Sequence, residues 1–131
     1  MIQIGTILNV CDKTGITLAQ CIKVFGQSRK KIGFIGDIVL ISVKQINPKK
    51  FKNMKLFKRK RFFKGTLHRG LIIRTKINYE RAKGIFIKFN ENSIILVNRK
   101  NIPISNRIYG IVLIELCRKL PSLGCIVRYM I

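Results

Sequence analysis

Short aliphatic and β-branched runs recur along the chain, each closed by Gly, Asn or Asp, and this pattern predicts strands rather than long helices. Residues 4–10 run into Asp12-Lys13-Thr14-Gly15, a turn with Asp at its first corner and Gly at its last. Residues 18–25 form a second run that stops at Gly26, and Gly33 with Gly36-Asp37 leads into residues 38–44, which read as a mostly buried strand. Residues 71–76 change midway from continuous apolar to alternating. Residues 85–89 and 93–97 flank Asn90-Glu91-Asn92, predicting a hairpin with a three-residue loop. Six candidate strands of five to eight residues, with no long helix between them, predict a mainly β fold closed into a small barrel, because closure removes exposed edges. Helix is expected only near the end. Residues 111–116 would form a turn or two after Gly110, and residues 120–131 a short helix interrupted by Pro121 and Gly124.

One segment departs from this pattern. Between Pro48 and Gly65 lie nine cations and no anion, interleaved with Phe51, Phe57, Phe62 and Phe63. No self-contained core forms from such a stretch. Residues 49–63 are therefore expected to be a basic insertion in a single domain spanning residues 1–131, a length that ordinarily supports one core. Read as a solvated loop, it would leave its phenylalanines in water. The favoured reading is an extension whose charges meet phosphates and whose aromatic rings meet bases or a neighbouring protein.

Charge sharpens this picture. The chain carries 27 Lys and Arg against 5 Asp and Glu, a net charge of +22, yet 47% of its residues are hydrophobic. A disordered basic tail is excluded by the apolar content, and a compact domain so charged repels itself unless an anionic partner is present. Nucleic acid is favoured over a membrane surface because no amphipathic helix or lipidation signal stands out. The longest uncharged run, residues 1–11, is well short of the roughly 20 residues that span a bilayer. It has no preceding basic residue and resembles neither a signal peptide nor a mitochondrial presequence, so the mature domain is expected to begin at Met1.

Catalytic and metal chemistry find little support. Asp12, Asp37, Glu80, Glu91 and Glu115 are scattered singly, and no Gly-rich phosphate loop occurs. Cys11, Cys21, Cys117 and Cys125 show no C-x-x-C spacing and are expected to be free thiols; His68 is expected at the surface or facing RNA. No cofactor is expected. Lys83-Gly84-Ile85-Phe86-Ile87-Lys88-Phe89 echoes the basic-Gly-aromatic strand of RNA-recognition domains, but the two crossover helices of such a domain have no room. Its Phe residues are therefore assigned to the core.

Several motifs in a fixed order carry a resemblance. Met1-Ile2-Gln3, the stretch from Thr6 to Gly15, Cys21-Ile22-Lys23-Val24-Phe25-Gly26 and Gly36-Asp37-Ile38-Val39 closely resemble the universal large-subunit ribosomal protein fourteen family. The family's central signature is matched by Gly70-Leu71-Ile72-Ile73, Gly84, Phe89, Asn92 and Ile95-Leu96, with Lys83 and Ile95 as departures. Pro103-Ile104-Ser105-Asn106-Arg107-Ile108-Tyr109-Gly110 is similar to the family's Pro-Ile-Gly-Thr-Arg-Ile-Phe-Gly, and Glu115-Leu116 follows. The match covers residues 1–48 and 65–116.

The resemblance implies a five-stranded β-barrel with a short C-terminal helical part on the intersubunit face of the large ribosomal subunit. Its partners would be large-subunit rRNA, neighbouring large-subunit proteins and, across a bridge, small-subunit rRNA. The surface holding Ser105, Asn106 and Arg107 would also receive a ribosome silencing factor, although Asn106 stands where the family has Thr. Cations assigned to rRNA are Arg29, Lys30, Lys31, Lys44, Lys49, Lys50, Lys52, Lys55, Lys58, Arg59, Lys60, Arg61, Lys64, Arg74 and Lys76. The alternative function is a non-ribosomal OB-type binder of single-stranded nucleic acid. Usage of 24 Ile against 7 Val and 17 Lys against 10 Arg points to an AT-rich genome. With the long insertion and the altered C-terminal stretch, this favours an organelle-encoded protein of the mitochondrial matrix, with plastid or bacterial cytoplasm as alternatives.

Overall fold

Alternating side chains set the barrel wall. In the computed structural model, which describes residues 1–26, 32–52, 62–81 and 83–131, Val39, Ile41 and Val43 of β5 (Ile38–Ile46) point into the core while the residues between them are only partly covered. β5 lies between β3 (Ile16–Val24) and β6 (Leu67–Arg74), antiparallel to both. β6 pairs antiparallel with β9 (Ser93–Val97). β9 then meets β2 (Ile7–Val10) in parallel, with Asn9 opposite Ser93 and Val10 opposite Ile94, and β2 returns antiparallel to β3. The order β2-β3-β5-β6-β9 is a closed five-stranded barrel.

Outside the barrel, β1 (Ile2–Gln3) pairs with β4 (Ile32–Gly33), and β7 (Tyr79–Glu80) with β8 (Phe86–Ile87). α1 (Pro48–Lys52) follows β5. The C-terminal part holds β10 (Ile111–Val112), α2 (Ile114–Lys119), α3 (Pro121–Gly124) and β11 (Tyr129–Met130), with β10 and β11 parallel.

The second half of β6 and the whole of β9 are covered on both faces, which explains the unbroken apolar runs Leu71-Ile72-Ile73 and Ile94-Ile95-Leu96-Val97. Ile72, Ile94 and Leu96 fill the barrel interior with Leu8, Ala19 and Ile41. Leu71, Ile73, Ile95 and Val97 point the other way, into a second core closed by Val112, Leu113, Leu116 and Leu123. The C-terminal helices therefore exist to cover the outer face of these two strands. Cys11, Cys21 and Cys117 serve as small buried hydrophobes; burial pushes the Cys11 thiol up to about 12, while Cys125 is exposed.

The predicted hairpin between residues 85–89 and 93–97 does not form. Both edges of β9 are taken by β6 and β2, so β8 pairs with β7 instead. The expectation that both phenylalanines of that segment enter the core holds for Phe89, half-buried against the second cluster, and fails for Phe86, which is 60% exposed. Residues 111–112 are strand rather than helix, because Ile111 lies opposite Tyr129. Pro121 begins a helix rather than interrupting one, since its missing N–H is no loss at the first helical position.

One further correction concerns the insertion region. Phe62 does not await a partner: it is 3% exposed and belongs to the barrel core. His68, expected at the surface or facing RNA, is half-buried; its ring lies 5.1 Å from that of Phe62, and its Nε2 is 3.0 Å from Thr66 Oγ1. Truncating Phe62 to Ala should cost about 3–5 kcal/mol, read as a lowered urea midpoint at unchanged slope. A cost below about 1 kcal/mol would show that the ring contributes little to the core.

Candidate nucleic-acid interface

The late motif of the sequence becomes an anchored loop. It leaves the barrel edge where Pro103 bridges Val97 and the Ile104 N–H donates to Leu96 O at 3.0 Å. Ser105 turns inward, and its Oγ accepts the Lys13 N–H at 3.0 Å and lies 3.2 Å from Arg107 O, to which it donates. Ile108 is buried and bridges Asp12, and the Tyr109 N–H donates to Cys11 O at 2.8 Å. With Ser105 and Ile108 held inside, Asn106, Arg107 and Tyr109 are left exposed. Ser105 thus shapes the loop from within, whereas the side chains of Asn106 and Arg107 stand exposed on its outer side.

Asp12 ties this loop's neighbour to the barrel. The Asp-Lys-Thr-Gly turn forms as predicted: Asp12 Oδ1 accepts the Thr14 N–H at 2.9 Å and the Thr14 hydroxyl. Oδ2 accepts the Leu96 N–H at 2.9 Å, reaching across to β9. Burial pushes this carboxyl above the ordinary carboxylate range, and the hydrogen bonds from Thr14 and Leu96 oppose the shift.

The expected rRNA-binding cations divide into three groups. Arg29, Lys30, Lys31, Lys55, Lys58, Arg59, Lys60 and Arg61 lie outside the described residues. Lys44, Lys49, Lys50, Lys52, Lys64 and Lys76 are exposed. The first five of these gather around the C-terminal end of β5, because α1 follows that strand directly and the Gly65 N–H donates to Val43 O at 2.8 Å. Lys76 sits apart, its N–H donating to Asn92 Oδ1 at 2.9 Å. Arg74 forms the third group, being 7% exposed and ion-paired at 3.0 Å with Glu91.

Several contacts were not legible beforehand. Lys50 Nζ lies 4.9 Å from the Tyr109 ring centroid, which joins α1 to the anchored loop, and Lys13 is exposed beside Ser105. The Arg69 guanidinium lies 5.0 Å from the Phe25 ring centroid and, with Arg99, borders a groove at the opposite end of β5. Outward alternation on β6 could have marked Arg69; nothing in the sequence links Lys50 to Tyr109.

Electrostatically, acids barely offset this surface. Among the described residues the ion pairs are Arg74–Glu91 and Arg81–Glu115, the latter at 2.6 Å, while Asp37 accepts the Phe34 N–H at 2.8 Å within its turn. Exposed lysines without acidic neighbours are placed to exchange counterions for phosphates. No set of three His, Cys, Asp or Glu able to hold a metal occurs among the described residues, and no helix among them is long and apolar enough to cross a membrane.

Replacing Asp12 by Ala should leave the Leu96 and Thr14 N–H groups without their acceptor. The expected loss is at least about 2 kcal/mol of stability, measured by chemical denaturation. An unchanged midpoint would remove Asp12 from its bracing role.

The family model described as Ribosomal protein L14p/L23e matches residues 1–126, taking in the barrel, the anchored loop and the C-terminal helices. The chain therefore belongs to the ribosomal protein L14p/L23e family, whose members are structural, rRNA-binding proteins of the large ribosomal subunit and not enzymes.

Proposed function

We propose that the chain works on the intersubunit face of the large subunit of a mitochondrial ribosome. Its lysines around the C-terminal end of β5, with the basic insertion, hold large-subunit rRNA and meet neighbouring ribosomal proteins. The loop carrying Asn106 and Arg107 faces outward and helps form a bridge to small-subunit rRNA. The single observation that carries this reading is the division of labour in that loop: Ser105 and Ile108 are buried as anchors, while Asn106 and Arg107 between them are exposed.

The same exposed pair offers a docking point for a ribosome silencing factor, with Arg107 as the retained contact and Asn106 in place of the family's Thr. Support for the mitochondrial assignment comes from the Ile- and Lys-rich composition and the long insertion. The mobile OB-type alternative loses ground on stacking chemistry. The five barrel strands contain no Phe, Tyr or Trp, so the strands themselves carry no row of aromatic rings on which unstacked bases would stack.

Sedimentation of the tagged protein from gently lysed organelles, at rising salt, tests the core of this proposal. Persistence in the large-subunit and monosome fractions through a high-salt wash is expected; release into light fractions with heterogeneous RNA would favour the mobile binder. Arg107→Glu should lower the monosome fraction while the protein stays with the large subunit, and undiminished subunit joining would refute the bridge assignment. Excising residues 53–61, which spares α1 and Phe62, should leave the circular dichroism and melting of the barrel unchanged while weakening incorporation into the subunit. Unaltered incorporation would show that the insertion is dispensable for rRNA binding.

A further inference from the structure

Arg74 reads in the sequence as one more cation for rRNA, but its surroundings give it a different task. It ends β6, where the pairing with β9 slips: Ile72 lies opposite Ile94, and the next pair is Arg74 opposite Ser93, leaving Ile73 as an extra residue. Under unbroken alternation Arg74 would share the face of Gly70 and Ile72 and drive a charge into the barrel interior. The bulge re-aims it. Its guanidinium instead runs beneath the segment 109–111.

There it has protein partners on three sides. Nη2 donates to Tyr109 O at 3.2 Å and pairs with Glu91 Oε1 at 3.0 Å, and Nη1 reaches Ile111 O at 3.5 Å. Glu91 is itself braced by Asn9, whose Nδ2 donates to Oε2 at 2.9 Å. Between the two carbonyls sits Gly110 at φ +87°, and a Cβ there would lie 1.9 Å from Arg74 Nη1. The backbone can turn both carbonyls toward one guanidinium only because residue 110 has no side chain and tolerates the left-handed region. A planar fork with several donors suits this task; a lysine, as a point charge, cannot span a carboxylate and two carbonyls at once.

We infer that Arg74 is a positioning residue: by gripping the carbonyls on either side of Gly110, it fixes the direction in which the exposed Asn106-Arg107 loop presents itself. It acts through the loop and touches no RNA. The inference rests on the reading of that loop as the subunit-facing surface. Its physical content, a loop held by a guanidinium from below, is separately measurable.

The test uses the full chain with Arg74→Lys, Arg74→Met and Gly110→Ala, in two measurements. In hydrogen exchange, the amides of residues 107–111 should exchange about tenfold faster in all three variants, while amides of β5 and β9 keep their protection. Equal protection of the loop, or loosening of the whole barrel, would overturn the positioning role. In sedimentation, the variants should remain with the large subunit and lower the monosome fraction to the level of Arg107→Glu. Combining Arg74→Met with Arg107→Glu should add no further loss, because both changes remove the same contact. Additive losses, or full rescue by Arg74→Lys, would mean that Arg74 supplies a charge of its own to the partner. If the unaltered protein failed to enter subunits, the ribosomal reading would fall while the exchange experiment still decided the role of Arg74.

Discussion

Barrel closure depends on one non-local contact. The parallel seam between β2 and β9 joins residues more than eighty positions apart, and Asp12 locks it by accepting the Leu96 N–H while shaping its own turn through Thr14. A buried carboxylate is costly unless its oxygens are bonded, and here both are. The exposed loop 105–109 hangs from this corner. Lys13, in the same turn, holds Ser105, and Cys11 just before it receives Tyr109, so the exposed loop is fixed to the strand ends that close the barrel.

A second constraint is electrostatic. With a net charge of +22, the chain pairs few cations internally among the described residues, and four of its five acids are spent on structure: Asp12 on the seam, Asp37 on a turn, Glu91 on Arg74 and Glu115 on Arg81. The fold is carried by two apolar cores on either side of β6 and β9. Among the described residues charge is left almost wholly to the surface, where the polyanion that the L14p/L23e family binds is the counterpart that relieves self-repulsion.

The sequence exposed the strands more readily than their pairing. Residues 38–44 and 93–97 announce themselves by composition, and the Asp-Lys-Thr-Gly turn by its residue types, because those signals are local. The partners of β9 are not local, so a plausible hairpin with residues 85–89 was indistinguishable from the true arrangement, in which β9 is sealed on both edges. Arg74 and Phe62 show the limit in the site itself. An arginine reads as surface and a phenylalanine within a basic run reads as insertion, yet a one-residue bulge buries the first and the barrel core takes the second. The exposed pair Asn106 and Arg107 is marked by its motif, whereas the contact of Lys50, on α1, with Tyr109 in the same loop has no signal in the sequence.

The way the basic segment is tethered has an evolutionary corollary. At its start, the Asn47 N–H donates to Gly15 O and Asn47 Oδ1 accepts the Lys49 N–H, setting the first turn of α1; at its end, Phe62 is sunk in the barrel core. With both ends moored to the same body, a flexible connection between such anchors lengthens at little thermodynamic cost, each doubling adding only about 0.6 kcal/mol of closure entropy. The length between Lys52 and Phe62 can thus change while the barrel beneath keeps its register.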